Sequence, residues 1–417
     1  MYIKSVFVAL SQQTHEMEVK LLLFFGLIPS ILSQCTIENA KPQFRRAVYD
    51  FSIDLLMRIA QEKESHFVAS TLSPWTLLSC ISLGAADTTL AELKDVLQLH
   101  AHSCFNKKYL KIVKEINSNV SPDVVVERSS VIFSDVNFHI KNHFKNTLLR
   151  KEVSDIQVIP FENTEFAAQT INNYVSRATH DTIEEVVAPG DLEDIVFLMI
   201  DAIFFKGNWK TPFLKEKTKL SAFYSEKGVK TGDVNLMFAS DMFNYKEVDL
   251  IQAKVLELPY GSDERYTALF MLPYKNVPLF TVIENLKRIT LKTINELFAS
   301  EEKKSVMIQL PRFKISSDLN NLRELLMDMG LRSMFDKQAR FPNISDDDLY
   351  VSDFFQKADI EVTEEGTTAS AATEALFVSR SLPDKFTANR PFLYMIIDKQ
   401  LEVPLFSGAY SKPNKLG

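Results

Sequence analysis

The stretch from Glu361 to Pro383 constrains this chain more than any other, because it begins like a strand and continues as a run of small residues. Its first residues alternate between polar and apolar side chains, as they do at the end of a β-strand. The segment from Thr367 to Ala372 buries little apolar area, so we expect it to form an exposed loop. It also lacks proline and charge, and nothing in it prevents pairing within a β-sheet. The sequence therefore predicts a surface loop that can become a strand.

The composition excludes several broad classes of protein. The chain has 417 residues, 46% of them hydrophobic, and a net charge of −7. These values suit one large globular unit or two ordinary domains, and they argue against a disordered chain or one that coats nucleic acid. No linker, repeat or low-complexity segment divides the sequence after its N-terminal region, which favours one domain.

The N-terminal region carries an apolar run from Leu21 to Leu32, followed by Ser33, Gln34 and Cys35. The run is too short to span a bilayer, and small side chains occupy the two positions that a signal peptidase inspects. We therefore predict an N-terminal extension and signal peptide over residues 1–35 and one domain over residues 36–417. The protein is then secreted and extracellular, with neither membrane nor nucleic acid as a partner. A buried or disordered N-terminus is the alternative interpretation.

Secretion also affects how the cysteines and sequons are interpreted. Cleavage near Cys35 would leave Cys80 and Cys104, too few for a disulfide framework, so stability is expected to come from the core. Cys80 falls in an apolar helical pattern and is interpreted as a buried thiol. Asn119 and Asn343 begin sequons and are candidate glycosylation sites.

The chain lacks the common catalytic motifs. Its seven histidines are scattered, without a His-Glu-x-x-His or paired metal spacing. It has no Gly-x-Ser-x-Gly, Walker or Gly-x-Gly-x-x-Gly element. We therefore predict that the protein is not an enzyme and needs no metal.

Several motifs of the chain resemble one known family, the serpins. The run that resembles their inhibitory hinge comprises Glu364, Glu365, Gly366, Thr367, Thr368, Ala369, Ser370, Ala371 and Ala372. The other matching motifs are His66–Gly84, Asp201–Trp209, Leu310–Ile315, Phe386–Phe392 and Leu405–Gly408. The resemblance covers roughly residues 44–413. It implies an α+β fold: a single serpin-type domain with about three mostly antiparallel β-sheets, eight to nine helices and an exposed reactive-centre loop over about residues 364–385.

Two counts within the resemblance place the reactive bond. In inhibitory serpins the primary specificity residue usually lies fourteen positions after the hinge glycine and nine before the asparagine of the downstream motif. Counted from Gly366 and from Asn389, both positions are Arg380, which is followed by Ser381. The resemblance thus implies an irreversible suicide-substrate inhibitor of a trypsin-like serine protease. That protease, whose pocket carboxylate pairs with the guanidinium, would be the partner in a covalent acyl complex.

A non-inhibitory serpin, acting as a carrier, storage protein or chaperone, is the alternative function. Such members commonly carry charged, bulky or proline residues after the hinge glycine, and the run from Thr367 to Ala372 has none of them. The sequence therefore favours the inhibitor, which we expect to be a monomer that regulates an extracellular proteolytic cascade. It does not identify the target protease.

The resemblance also implies two structural sites beside the loop. Serpins place two serines, an asparagine and a histidine under the point where the main sheet opens, a site called the shutter. The matching residues here are Ser70, Ser73, Asp201 and Gln356. The last two differ from the family, but a carboxyl group can accept a hydrogen bond from a glutamine amide, so we expect one buried polar cluster. The second site, the breach, comprises Arg312, Trp209 and Glu364, with the arginine within salt-bridge reach of the glutamate.

One lysine-rich helical face is a further candidate. Its residues are Lys107, Lys108, Lys111 and Lys114. The corresponding helix of some serpins binds heparin-like polyanions, which would be the only cofactor expected here. The alternative is a solvated lysine face, since the overall charge is negative.

Overall fold

The computed structural model describes residues 35–118, 123–151, 153–365 and 382–413. Within these ranges the α-helices are α1 (Ile37–Glu62), α2 (Leu72–Ile81), α3 (Asp87–Val96), α4 (Ser103–Ser118), α5 (Asn142–Lys151), α6 (Thr164–Ala178), α7 (Leu279–Asn285), α8 (Leu291–Ala299) and α9 (Leu322–Met329). The strands are β1 (Phe67–Ala69), β2 (Val124–Asp135), β3 (Asp155–Ile159), β4 (Phe197–Gly207), β5 (Lys219–Tyr224), β6 (Lys230–Val248), β7 (Ala253–Pro259), β8 (Tyr266–Pro273), β9 (Lys304–Pro311), β10 (Phe313–Leu319), β11 (Asp353–Val362), β12 (Asp384–Thr387), β13 (Phe392–Asp398) and β14 (Val403–Tyr410). Short 3₁₀ helices lie at Pro189–Leu192, Lys215–Lys217, Leu286–Arg288 and Ser333–Phe335.

The smaller sheet has five strands in the order β10-β11-β4-β2-β3. β4 lies at its centre and is buried on both faces, which explains its nearly continuous apolar sequence. Leu198 and Ile200 pack with residues of α6 on one face, whereas Met199 and Phe205 face the main core on the other. The sheet is therefore covered on one side by α6 and on the other by the rest of the domain.

The larger sheet is built around the long strand β6. Its path through the described residues is β1-β14-β13-β8-β7-β6-β9-β12, and β5 also pairs with β6. Along its 19 residues, β6 pairs first with β5, then with β9 and finally with β7. One strand thus joins two groups of strands into a single sheet.

The predicted α+β fold is confirmed, with nine α-helices among the described residues. We expected about three sheets, and the described strands form two. The difference arises because β6 is long enough to belong to two of the expected sheets at once.

The C-terminal strands lie deep in the larger sheet. β13 pairs with β14 and β8, and β14 also pairs with β1. Every residue of β13 and β14 is buried. β12 is shorter and pairs in parallel with β9. The last part of the chain is therefore integrated into the fold by several strand pairings.

A disulfide bond corrects our interpretation of the cysteines. Cys35 is bonded to Cys104, which joins the start of α1 to the first turn of α4. The expectation that only Cys80 and Cys104 remain in the folded protein is therefore wrong. Thr36 caps α1 by accepting a hydrogen bond from Asn39 N–H, so Cys35 directly precedes a fixed helix end. Any removed leader would have to end before Cys35 for this bond to form.

Asp353, the first residue of β11, is half-buried, and this burial raises the pKa of its carboxyl group to about 6. Phe354 N–H, which donates to Asp353 Oδ1, opposes the rise in pKa, and the Glu324 carboxylate adds to it. The folded pKa thus lies above the ordinary value of 3.8. The contribution of Asp353 to stability is therefore present below about pH 4 and is lost as the pH rises through about 6.

Replacing Asp353 by asparagine is expected to stabilise the protein at pH 8. The amide keeps an acceptor for Phe354 N–H but carries no charge, so the free energy of unfolding should rise by about 1–2 kcal/mol after allowance for solvent screening. The gain should shrink at pH 5, where the parent carboxyl group is mostly protonated. Urea unfolding of both proteins at the two pH values measures this. A gain of equal size at pH 8 and pH 5 would mean that the charge is not its cause.

Candidate functional site

The pair β4 and β11 forms a seam in the smaller sheet at which a further strand fits. The two strands run parallel, with Asp353 opposite Leu198 and Ile360 opposite Phe205. After β11 the described chain continues only to Glu365. A chain that turned back after this point would run antiparallel to β11 and, because β4 is parallel to β11, antiparallel to β4 as well. Antiparallel neighbours need only a short turn between them, so the seam suits a strand formed by the residues that follow β11.

The four predicted shutter residues lie together across this seam. Gln356 on β11 is opposite Asp201 on β4, and its Nε2 donates to Asp201 Oδ2 at 2.9 Å. The same amide pairs reciprocally with the backbone of Ser70, donating to its carbonyl at 2.8 Å and accepting from its N–H at 3.0 Å. Ser70 Oγ donates to Ser73 Oγ at 3.1 Å. All four residues are buried, so the hydrogen bonds form one polar cluster inside the core.

Ser130 is a fifth member that sequence reasoning missed. It lies opposite Asp201 on β2, and its Oγ donates to Asp201 Oδ1 at 2.5 Å. In the sequence Ser130 lies between Ser129 and Val131, and nothing in this local pattern distinguishes it from the other serines of β2. The carboxyl group of Asp201 thus receives donors from both adjacent strands.

We expect Asp201→Ala to lower the stability of the protein. The substitution leaves the donors of Ser130 and Gln356 buried without this acceptor, which should cost about 1–3 kcal/mol. Asp201→Asn keeps one acceptor oxygen in the same place and should cost less. The midpoint of urea unfolding checks both variants, and an unchanged midpoint for Asp201→Ala would disprove a stabilising role of the cluster.

At the end of the seam where β11 stops, Glu364 is held by contacts with three separate parts of the chain. Its side chain is 5% exposed, and Thr218 Oγ1 donates to its Oε1 at 2.7 Å. Arg312 Nη1 lies 3.7 Å from its Oε2, so the predicted proximity is present. Its backbone carbonyl accepts from Phe213 N–H at 3.3 Å. Trp209 Nε1 donates to the carbonyl of the preceding residue, Thr363, at 2.9 Å.

The neighbouring residue, Glu365, has a weaker attachment. Lys215 Nζ lies 2.7 Å from its Oε1, and both side chains are exposed. The hydrogen bond and charge of Lys215 lower the pKa of the Glu365 carboxyl group, and the same bond raises the pKa of Lys215. Exposed pairs of this kind add little to stability. The chain is therefore fixed mainly through Thr363 and Glu364.

Glu364→Lys is expected to loosen this attachment and to increase spontaneous insertion or polymerisation. The new ammonium group would face Arg312 and would lose the hydrogen bond from Thr218. The partly buried pair should matter more than an exposed salt bridge, whose typical value is about 0–1 kcal/mol. Native gels, run after incubation at elevated temperature, detect the inserted and polymerised forms by their altered migration. Glu365→Lys is the matched control and should resemble the parent. If the parent and both variants inserted or polymerised to the same extent, the contacts of Glu364 would not restrain the loop.

Other predicted residues are placed as follows. Residues 366–381, which include the small-residue run and the bond Arg380–Ser381, lie outside the described residues, as does Asn119. Leu382, the next described residue, is 96% exposed. Asn343 is exposed on its turn. On α4, Lys107 and Lys111 are exposed, whereas Lys108 and Lys114 are half-buried, and polyanion binding stays a prediction.

Among the described residues, the histidine, cysteine, aspartate and glutamate side chains form no group of three or more that could hold a metal ion. None of the helices in the described ranges is both long and apolar enough to cross a membrane.

Comparisons with known proteins agree with this geometry. A family model, Serpin (serine protease inhibitor), matches residues 46–413. Antithrombin-III of Mus musculus is 30% identical over 383 residues, covering 87% of this chain and 80% of that protein. Intracellular coagulation inhibitor 2 of Tachypleus tridentatus is 29% identical, covering 89% of this chain and 91% of that protein. The crystal structure of Manduca sexta serine protease inhibitor (Serpin)-12 matches with a TM-score of 0.78 and 26% identity, covering 89% of this chain and 99% of that one.

Proposed function

The chain belongs to the serpin family, a family of serine protease inhibitors and not of enzymes, and from this premise we propose that it traps a trypsin-like protease by cleavage at Arg380–Ser381. One observation carries the proposal. β11 runs parallel to β4 and continues directly into the chain that leads to the reactive bond. The residues after Glu365 can therefore enter the seam as a strand that is antiparallel to both neighbours.

The chemical step is ordinary acyl transfer. The catalytic serine of the protease attacks the carbonyl carbon of Arg380, an ester bond forms, and the peptide bond to Ser381 breaks. The serine proton passes through the protease histidine to the new amino group of Ser381. The protease then remains attached to Arg380 by an ester that water would normally hydrolyse.

Insertion follows from the release of the loop at one end. About fourteen residues at ~3.3 Å each would carry the attached protease roughly 45 Å along the sheet. One parallel ladder between β4 and β11 is replaced by two antiparallel ladders. Serpin loop insertion is a known example of stored strain that cleavage releases. The protease is trapped if this movement distorts its active site before water reaches the ester.

The shutter contacts have to break during this movement. An inserted strand separates β4 and β11 by two strand spacings, about 10 Å. The hydrogen bond between Gln356 and Asp201, now 2.9 Å long, cannot span that distance. The cluster therefore stabilises the closed sheet and opposes insertion until the chain is cut.

The direct test uses the unmodified protein and a panel of trypsin-like proteases. We expect a complex that survives boiling in detergent and a released fragment whose N-terminal sequence begins Ser381-Leu382-Pro383. An elastase-like protease serves as the control and should form little complex. Cleavage without a stable complex would favour the non-inhibitory alternative, and a fragment with another N-terminus would move the reactive bond.

We also propose that the protein is secreted and acts in an extracellular proteolytic cascade. The disulfide between Cys35 and Cys104 supports this, because such bonds persist in oxidising compartments. Expression in a secreting cell should yield protein in the medium with an N-terminus before Cys35. Retention of the full-length chain inside the cell would contradict secretion.

A further inference from the structure

A cleft opens on the larger sheet, away from the shutter and the breach. It has a volume of about 580 Å³, which is within the range of small-molecule sites. One wall is the turn between β6 and β7, and the other is α7 with the 3₁₀ turn that follows it. The lining residues are Asp249, Leu250, Gln252, Thr281, Asn285 and Arg288.

The helical wall presents three polar side chains in one direction. Thr281, Asn285 and Arg288 are spaced by four and three residues, which places them on the same helical face. A face of this kind is usually solvated, but Asn285 is only 6% exposed. Its side chain does not cap the following 3₁₀ helix, and no hydrogen bond joins its amide to another described residue. Neither atom of the amide group is fully enclosed by protein, so the group is open to the cleft and can bond a ligand there.

The opposite wall is fixed before any ligand binds. Gln252 has a φ of +57°, and its N–H donates to Asp249 O at 3.1 Å. Its carbonyl accepts from Tyr274 N–H at 2.8 Å, and Tyr274 Oη donates to Asp249 Oδ1 at 2.9 Å. Leu250 in the same turn is 48% exposed, an apolar surface at the mouth of the cleft.

The chemistry of the lining selects a neutral, hydroxyl-rich ligand. One carboxylate and one guanidinium cancel in charge, so an anion would meet Asp249 and a cation would meet Arg288. The carboxylate accepts, the guanidinium donates, and the two amides and the hydroxyl do both. A sugar hydroxyl group likewise donates and accepts, and Leu250 offers contact to the apolar face of a ring. We propose that this cleft binds a neutral saccharide of one or two rings, with the Asn285 amide as its central hydrogen-bonding group.

Sugar binding can be measured by saturation-transfer NMR and calorimetry. The probes are glucose, N-acetylglucosamine, maltose and trehalose. Two charged probes are inorganic phosphate, which is an anion, and glycine betaine, a zwitterion that carries one charge of each sign. At least one sugar should bind, and neither charged probe should bind. Asn285→Leu, of similar size, should weaken sugar binding by about tenfold or more, since it removes the hydrogen bonds of the least exposed lining residue.

Melting without sugar separates a ligand residue from a structural one. Asn285→Leu removes an amide that bonds no other described residue, so its melting temperature should equal or exceed that of the parent. Asn172→Leu is the matched control, because Asn172 donates to Val187 O and accepts from the N–H groups of Val186 and Val187. This variant should melt at a lower temperature and still bind sugar when folded. Arg288→Gln, at an exposed position, should weaken sugar binding without affecting the fold.

The proposal does not depend on protease inhibition, and the Asn285 and Arg288 variants should form protease complexes like the parent. It is overturned if none of the sugars binds, or if phosphate or glycine betaine binds in their place. It is also overturned if Asn285→Leu binds sugar as tightly as the parent, or if it lowers the melting temperature as much as Asn172→Leu does.

Discussion

Replacing Thr367 by arginine is expected to turn the protein from a trap into an ordinary substrate. Thr367 is the first residue after the hinge glycine and would be among the first to enter the seam between β4 and β11. In the inserted strand we expect its side chain to face the buried side of the sheet, where a guanidinium group has no partner. Desolvating that charge should cost several kcal/mol, at the first step of insertion. The variant should fold and be cleaved after Arg380, yet release the protease.

Two measurements distinguish trapping from cleavage in this variant. Detergent gels detect the covalent complex, and thermal unfolding detects the stability gained when a cleaved loop inserts. Thr367→Val, similar in size and uncharged, should trap protease like the parent. If Thr367→Arg also trapped protease and gained stability on cleavage, strand insertion would not be the mechanism.

Arg380→Ala should abolish inhibition of trypsin-like proteases. The carboxylate in the protease pocket would lose its guanidinium partner, and the loss of such a contact typically costs several kcal/mol in the transition state. That corresponds to a decrease of about a thousandfold in the second-order rate constant of inhibition. Weak inhibition of an elastase-like protease is the expected gain, because the small side chain fits a narrow pocket.

The conservative variant Arg380→Lys provides the control for this prediction. It keeps the positive charge but loses the bidentate geometry of the guanidinium group, so the rate constant should be intermediate. The test compares the second-order rate constants of inhibition of trypsin and of an elastase-like protease by the parent, Arg380→Ala and Arg380→Lys. An Arg380→Ala variant that inhibited trypsin at the rate of the parent would show that another bond is the reactive one.

Much of the candidate site could be predicted because its residues lie in recognisable motifs. We expected Arg312 to lie near Glu364, and Gln356 to contact Asp201, because each residue matches a position of the serpin breach or shutter. Strand alternation then explains why both Asp201 and Gln356 point to the core. The α+β fold followed in the same way, since the motifs extend over most of the chain.

The contacts that could not be predicted depend on strand register and on distant pairings. Ser130 reaches Asp201 only through the alignment of β2 with β4, and no local pattern specifies that alignment. The bond between Cys35 and Cys104 joins residues 69 positions apart, and three cysteines allow more than one pairing.

Cutting the bond between Arg380 and Ser381 is expected to leave one two-chain molecule, not two separate proteins. The shorter piece, from Ser381 to Gly417, contains β12, β13 and β14, and its last two strands are buried on every residue. The hydrogen bonds to β1, β8 and β9 would keep it in place without any covalent link. The longer piece keeps the ester at Arg380, so the captured protease and the small fragment belong to different chains. A native gel should therefore show one band after reaction, whereas a detergent gel should release a short peptide that carries no protease.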